Sequence, residues 1–184
     1  MTKFKALIVH ASEFGSTKEV AHVVAEEFFQ KGFDVKIENA AEVKQIKQYD
    51  AVIIGAAIHY DKWMKEARGF IKRFEQELST KQVAYFFTCL TLVKARQKDL
   101  NKVMKYSNDI LSSSLKIKPI SVGAFAGVLD YTRMKHFNKF VAKIVFTLLK
   151  IRPKDYRRWG EIYHWINETI DAVKKNCYIT SNEN

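Results

Sequence analysis

Short apolar runs alternate with amphipathic stretches along most of the chain. Phe4–Val9 is rich in branched residues, as a buried parallel strand is, and Ala51–Gly55, Val83–Thr88 and Ile120–Phe125 read the same way. Asp34–Glu38 instead alternates, with Val35 and Ile37 on one face, as a strand near a sheet edge does. Helix spacing fills the gaps. Thr17 to Lys31 sets Val20, Val24 and Phe28 on one face. Ser16 and Glu19 form an S-x-x-E capping box at its start, and Gly32 stands where a terminating glycine is expected. Ala67, Phe70, Ile71, Phe74 and Leu78 share a second helical face, and a polar helix is predicted over 97–111. Trp159, Ile162, Tyr163, Ile166, Ile170 and Val173 mark a last helix, and the polar tail after Cys177 is read as frayed.

Five strands separated by helices predict an α/β fold with a parallel sheet and right-handed crossovers. No repeat or Pro/Gly linker divides the chain, and Pro119 and Pro153 fall at element boundaries. The expected organisation is one domain, 1–184, with an insertion at 131–158 before the last helix.

Composition changes this picture little and charge changes it more. The 184 residues are 47% hydrophobic and 28% charged, ordinary for a folded domain. Cys89 and Cys177 lie far apart, which argues against a disulfide framework and for a reducing, cytoplasmic setting. No signal peptide is read at the N-terminus, and no window reaches the ~18 uncharged apolar residues of a membrane span. The net charge of +11 is uneven. Residues 133–158 hold nine basic side chains against Asp155, a net +8, which leaves +3 for the rest.

In a parallel sheet, ligands bind beyond the carboxyl ends of the strands. The first loop there is Ser12-Glu13-Phe14-Gly15-Ser16-Thr17. It sets small hydroxyl residues and a glycine before a helix, whose outward N–H groups and partial positive charge suit a phosphate without a lysine. It matches neither G-x-G-x-x-G nor the P-loop pattern, which disfavours a Rossmann dinucleotide site and a P-loop ATPase. A capped helix with no ligand would look the same in the loop itself. No G-x-S-x-G elbow is present, and His10, His22, His136 and His164 show no metal-ligand spacing, so no metal is expected.

The S-x-x-G-S-T loop resembles the phosphate loop of the flavodoxin-like family, [ST]-x-[ST]-G-x-T, departing at Phe14 where that pattern has a hydroxyl. Gly55-Ala56-Ala57-Ile58-His59-Tyr60, the stretch Tyr85–Arg96, and Ala126–Tyr131 followed by a basic helix are similar to one branch of it. That branch is the quinone-dependent protoporphyrinogen IX dehydrogenases of bacterial haem synthesis. The resemblance implies a doubly wound sheet of strand order 2-1-3-4-5 and FMN as cofactor. The flavin ring would lie between the loops after strands three and four. Ala56, Ala57 and Ile58 would allow close backbone approach, Tyr60 or Trp63 would stack, and Thr88, Cys89, Leu90 and Thr91 would meet the pyrimidine edge. Asp130 and Tyr131 would close the site. His59 is a candidate for proton transfer, and no other catalytic acid or base is identified. Cys89 reads as a packing residue, because no basic neighbour in sequence activates its thiol.

The insertion has helix periodicity over 133–150, with Phe137, Phe140, Val141, Ile144, Val145 and Leu148 in one stripe. Lys135, Lys139 and Lys143 occupy other positions. An apolar face edged by cations suits an anionic membrane surface at the inner face of the cell membrane. The bland reading is a core-packed helix with a solvated basic face. Nucleic acid is disfavoured, since no recognised module accompanies the charge. The resemblance implies electron transfer from a porphyrinogen-like molecule to a quinone. A flavodoxin-type electron carrier, or an adaptor that has lost FMN, is the alternative, and homo-oligomerisation is left open.

Overall fold

The computed structural model describes residues 3–134 and 136–182; Lys135, a predicted membrane-facing residue, lies outside them. In chain order the elements are β1 (Lys5–Ala11), α1 (Ser16–Gln30), β2 (Asp34–Asn39), β3 (Ala51–His59), β4 (Lys62–Trp63), α2 (Lys65–Arg73), α3 (Glu75–Leu78), β5 (Gln82–Cys89), α4 (Gln97–Leu111), β6 (Ser121–Ala126), β7 (Val128–Leu129), α5 (His136–Leu148), β8 (Lys154–Asp155) and α6 (Trp159–Asn182).

Branched and aromatic runs with no exposed face can be satisfied only between two layers, and the chain builds them. The long strands pair in parallel in the order β2-β1-β3-β5-β6, which is the expected 2-1-3-4-5 once the two-residue β4 is set aside. Leu7, Val9, Val52, Ile54, Tyr85 and Phe87 pack on one face against α2 and α4. Ala6, Ile8, Ile53 and Phe86 pack on the other against α1 and α6. Phe28, Phe70, Phe86 and Phe87 are fully buried, each contributing about 1.5–3 kcal/mol relative to an exposed side chain.

Several expectations are corrected. The Ser16–Glu19 capping box does not form: Gly15 is the cap residue, and no side chain bonds the helix amides there. Glu19 is drawn outward to two arginines instead. The helical face from Ala67 to Leu78 is split, because Phe74 leaves helical geometry between α2 and α3 (φ −111°, ψ 18°). The final helix runs past Cys177 to Asn182. Within the insertion the expected helix is shorter, a 3-10 turn at Tyr131–Arg133 followed by α5. The pairing of β7 with β8 was not foreseen; it closes the base of the insertion. No helix among the described residues is long and apolar enough to cross a membrane.

Candidate functional site

The strand order reverses at β1, whose neighbours β2 and β3 lie on opposite sides. A crevice opens there beyond the carboxyl ends of the strands. The pairs Ala11 with Ala56, Ala57 with Thr88 and Cys89 with Ala126 show that the loops after β1, β3, β5 and β6 leave the same sheet end.

The loop Ser12–Thr17 is built by its own backbone. Gly15 has φ +88°, a left-handed conformation that a side chain would strain. The Gly15 N–H donates to Ser12 Oγ at 3.0 Å, which closes the loop. The first turn bond of α1 runs from the Glu19 N–H to the Gly15 carbonyl at 2.9 Å. The amides of Ser16, Thr17 and Lys18 precede it, so they are the donors that a helix leaves open at its start. Thr17 is placed otherwise than its expected role as a phosphate hydroxyl: it is fully buried, and its Oγ1 lies 2.7 Å from Thr88 Oγ1. That bond ties the first loop to the end of β5.

Glu13 and Phe14 face the next loop. His59 Nδ1 lies 3.1 Å from Glu13 Oε2, within reach for a ring N–H to donate to the carboxylate. The Phe14 ring meets His59 edge-on at 6.2 Å. Ala56, Ala57 and Ile58 form the end of β3. Tyr60 and Asp61 make a two-residue hairpin to β4 with φ of +49° and +60°, the both-positive pattern of a tight hairpin turn. Neither residue is glycine, so the turn is held from outside: Asp61 Oδ1 accepts from Tyr106 Oη at 2.5 Å and pairs with Lys102 Nζ at 2.7 Å. Those bonds from α4, Lys102 first, hold the Asp61 carboxyl below its usual range. Tyr60 is left 83% exposed, its ring 4.3 Å from that of His59, and its outer surface is open to a planar ligand. Trp63 is buried instead, its indole N–H donating to the Ala56 carbonyl at 3.2 Å. An open cavity of about 680 Å³ adjoins Ser12, Glu13, His59 and Tyr60 on the side toward β2.

On the far side, Thr88 and Cys89 end β5, and Leu90 and Thr91 begin a 3-10 turn. Burial pushes the Cys89 thiol up, which opposes a thiolate and fits a packing role. Asp130 caps the Tyr131–Arg133 turn, accepting from the Thr132 amide at 2.8 Å and its hydroxyl at 2.6 Å.

Sequence reasoning missed a charged junction at this edge. Glu19 Oε1 accepts from Arg133 Nη1 at 2.5 Å and Glu19 Oε2 from Arg157 Nη1 at 2.6 Å. Partial burial works against the Glu19 charge, yet these bonds hold its carboxyl below the usual range. Lys94 Nζ, just past the β5 turn, donates to the Leu149 carbonyl at 2.5 Å. The insertion is therefore fastened to the first loop's helix at both ends and to the β5 loop near its middle. The partners stand 114, 138 and 55 residues apart, and no local pattern announces them. α5 itself contributes no core residue among those described: Phe140, Ile144 and Leu148, four apart, are exposed, with Lys143 exposed and Lys139 half-buried beside them. The Phe137 side chain lies outside the described residues.

A doubly wound sheet with a glycine-turned loop leading into a helix at its switch point defines a class of ligand-binding α/β proteins. The flavodoxin domain profile matches residues 7–156, and the chain belongs to the flavodoxin domain family. It is 26% identical over 178 residues to the protoporphyrinogen IX dehydrogenase [quinone] of Escherichia coli K12, covering 93% of this chain and 97% of that one. A protein of the same name from Leishmania major is 27% identical over 149 residues, with 77% and 62% covered. Among solved structures, a flavodoxin from the domain Archaea superposes with a TM-score of 0.54 at 16% identity, covering 94% of this chain and 98% of that one.

Proposed function

We propose that this protein is an FMN-dependent oxidoreductase that passes electrons from a porphyrinogen-type donor to a quinone at a membrane surface. One observation carries the cofactor reading: the open first-turn amides of α1 meet the left-handed Gly15 at the switch-point crevice, with the exposed Tyr60 one loop away. These residues fit the phosphate and ring of FMN. When bound, FMN supplies a centre that accepts electrons from a reduced donor and passes them on. The chain supplies binding and orientation. Backbone amides of 16–18 would hold the phosphate, Gly15 would permit its approach, and Tyr60 would offer a face to the ring. His59, whose Nδ1 lies 3.1 Å from Glu13 Oε2, would present its other nitrogen for proton exchange.

The donor and acceptor follow from likeness along nearly the whole length of the Escherichia coli relative, insertion included. The exposed stripe of α5 supports the membrane seat, because a core-packed helix would have buried it. An electron carrier would share the cofactor site and lack a substrate of its own. Anaerobic incubation of FMN-loaded protein with protoporphyrinogen IX and a menaquinone analogue separates the two. Porphyrin fluorescence that grows only when protein and quinone are both present is expected. A flavin-loaded protein that produces none is a carrier.

A further inference from the structure

We infer that Arg133, supplied by the insertion, is a ligand of the cofactor's phosphate and makes the site selective for the phosphorylated flavin. This rests on the FMN reading above. Arg133 sits in a turn fixed by Asp130 and donates from Nε to the Asp130 carboxylate at 3.2 Å. Its Nη1 lies 3.4 Å from the Phe14 carbonyl, beside its 2.5 Å bond to Glu19. A methyl group built on Gly15 would stand 3.5 Å from the same nitrogen. The guanidinium thus rests on the loop that fronts the open amides of α1, although it is 114 residues away in sequence.

The two arginines on Glu19 are not equivalent. The Arg157 side chain is 7% exposed, forks onto Asp155, and lies 4.7 Å from the Trp159 ring centre. It is a fixed strut holding one Glu19 oxygen, and it leaves the other to position Arg133. The Arg133 side chain is 38% exposed, and its Nη2 donates to no protein atom among the described contacts. Three of its donor directions orient the fork, with Nη1 at the loop, and the remaining nitrogen, Nη2, is left for a ligand. A planar cation held this way suits a phosphate oxygen, since a guanidinium can bond two groups at once without losing charge. The neighbouring carboxylates set its direction, and Nη2 delivers the bond.

Fluorescence titrations with FMN and with riboflavin, which lacks the phosphate, test this for the full chain and for Arg133→Gln and Arg133→Lys. A hydrogen bond to a charged group predicts that Arg133→Gln binds FMN roughly tenfold to a hundredfold more weakly. Riboflavin binding should be unchanged, so selectivity collapses. Arg133→Lys should recover part of the FMN affinity. FMN binding by the parent should weaken with salt more steeply than by Arg133→Gln. Equal losses for both flavins would make Arg133 a loop support and overturn the inference, as would unchanged FMN binding. If riboflavin binding is too weak to measure, rescue by lysine decides. Should Arg133→Gln fail to fold, an Arg133→Lys variant with altered FMN affinity and unaltered melting upholds the inference, and one that binds as the parent does overturns it. A parent that binds neither flavin would instead sink the FMN reading itself.

Discussion

Two buried side chains at the sheet end set measurable behaviour. His10, at the end of β1, is buried, and its Nδ1 has no hydrogen-bond partner among the described residues. Burial first, then Lys18 and His22, lowers its pKa from the ordinary 6.5. Above that value both the folded and unfolded chains carry a neutral ring, and the group contributes nothing. As pH falls through 6.5 the unfolded chain takes the proton first, so stability drops until the lower folded value is reached. Urea unfolding between pH 7.5 and 5 should show this loss, and His10→Gln should flatten it; identical pH slopes would exclude His10 as the source. Thr17 makes the second case. Thr17→Val leaves the Thr88 hydroxyl buried without its partner, which should cost about 1–3 kcal/mol. The Thr17→Val/Thr88→Val double variant should recover much of that, and a strictly additive double-mutant cycle would mean that the pair does not couple. The residue scale was also where sequence reading was weakest. An S-x-x-E box is a local signal, but Glu19 gains more from two guanidinium groups brought by the fold than from a helix amide.

Among elements, α5 is the outlier. Every long strand and the helices α1 and α6 were legible because their apolar periods match the layers they enter, whereas α4 was read as a polar helix and its buried face of Val103, Tyr106 and Ile110 went unnamed. The short pieces β4, β7 and β8 were not, since two residues carry no period. The period of α5 was read correctly as helical, but a period does not say what the face meets. Phe140, Ile144 and Leu148 are 66%, 48% and 78% exposed. Vesicle co-sedimentation should therefore require anionic lipid and weaken with salt. Each basic residue near such a surface contributes on the order of 1 kcal/mol, so Lys139→Gln with Lys143→Gln should cut partitioning roughly thirtyfold. FMN binding should persist in that variant, because neither lysine touches the first loop. Equal binding to neutral vesicles would remove the electrostatic part.

Across the whole molecule, the sheet order and its switch point place the site, and both followed from the resemblance rather than from periodicity. Position in the sequence placed the insertion after β6, but its three fastenings join residues that no spacing relates. They make the insertion part of the site's rim, not a passive appendage.

That attachment has a kinetic meaning. The insertion that carries α5 is fastened to the start of α1 and to the turn after β5, so a protein seated by α5 would hold its candidate site near the lipid. On that reading a lipid-dissolved acceptor meets the site by lateral diffusion in two dimensions. The rate should then track the mole fraction of quinone within the lipid rather than its amount per volume of solution. Adding empty anionic vesicles at constant total quinone should slow turnover by diluting the surface, and a rate indifferent to that dilution would show that exchange runs through bulk water.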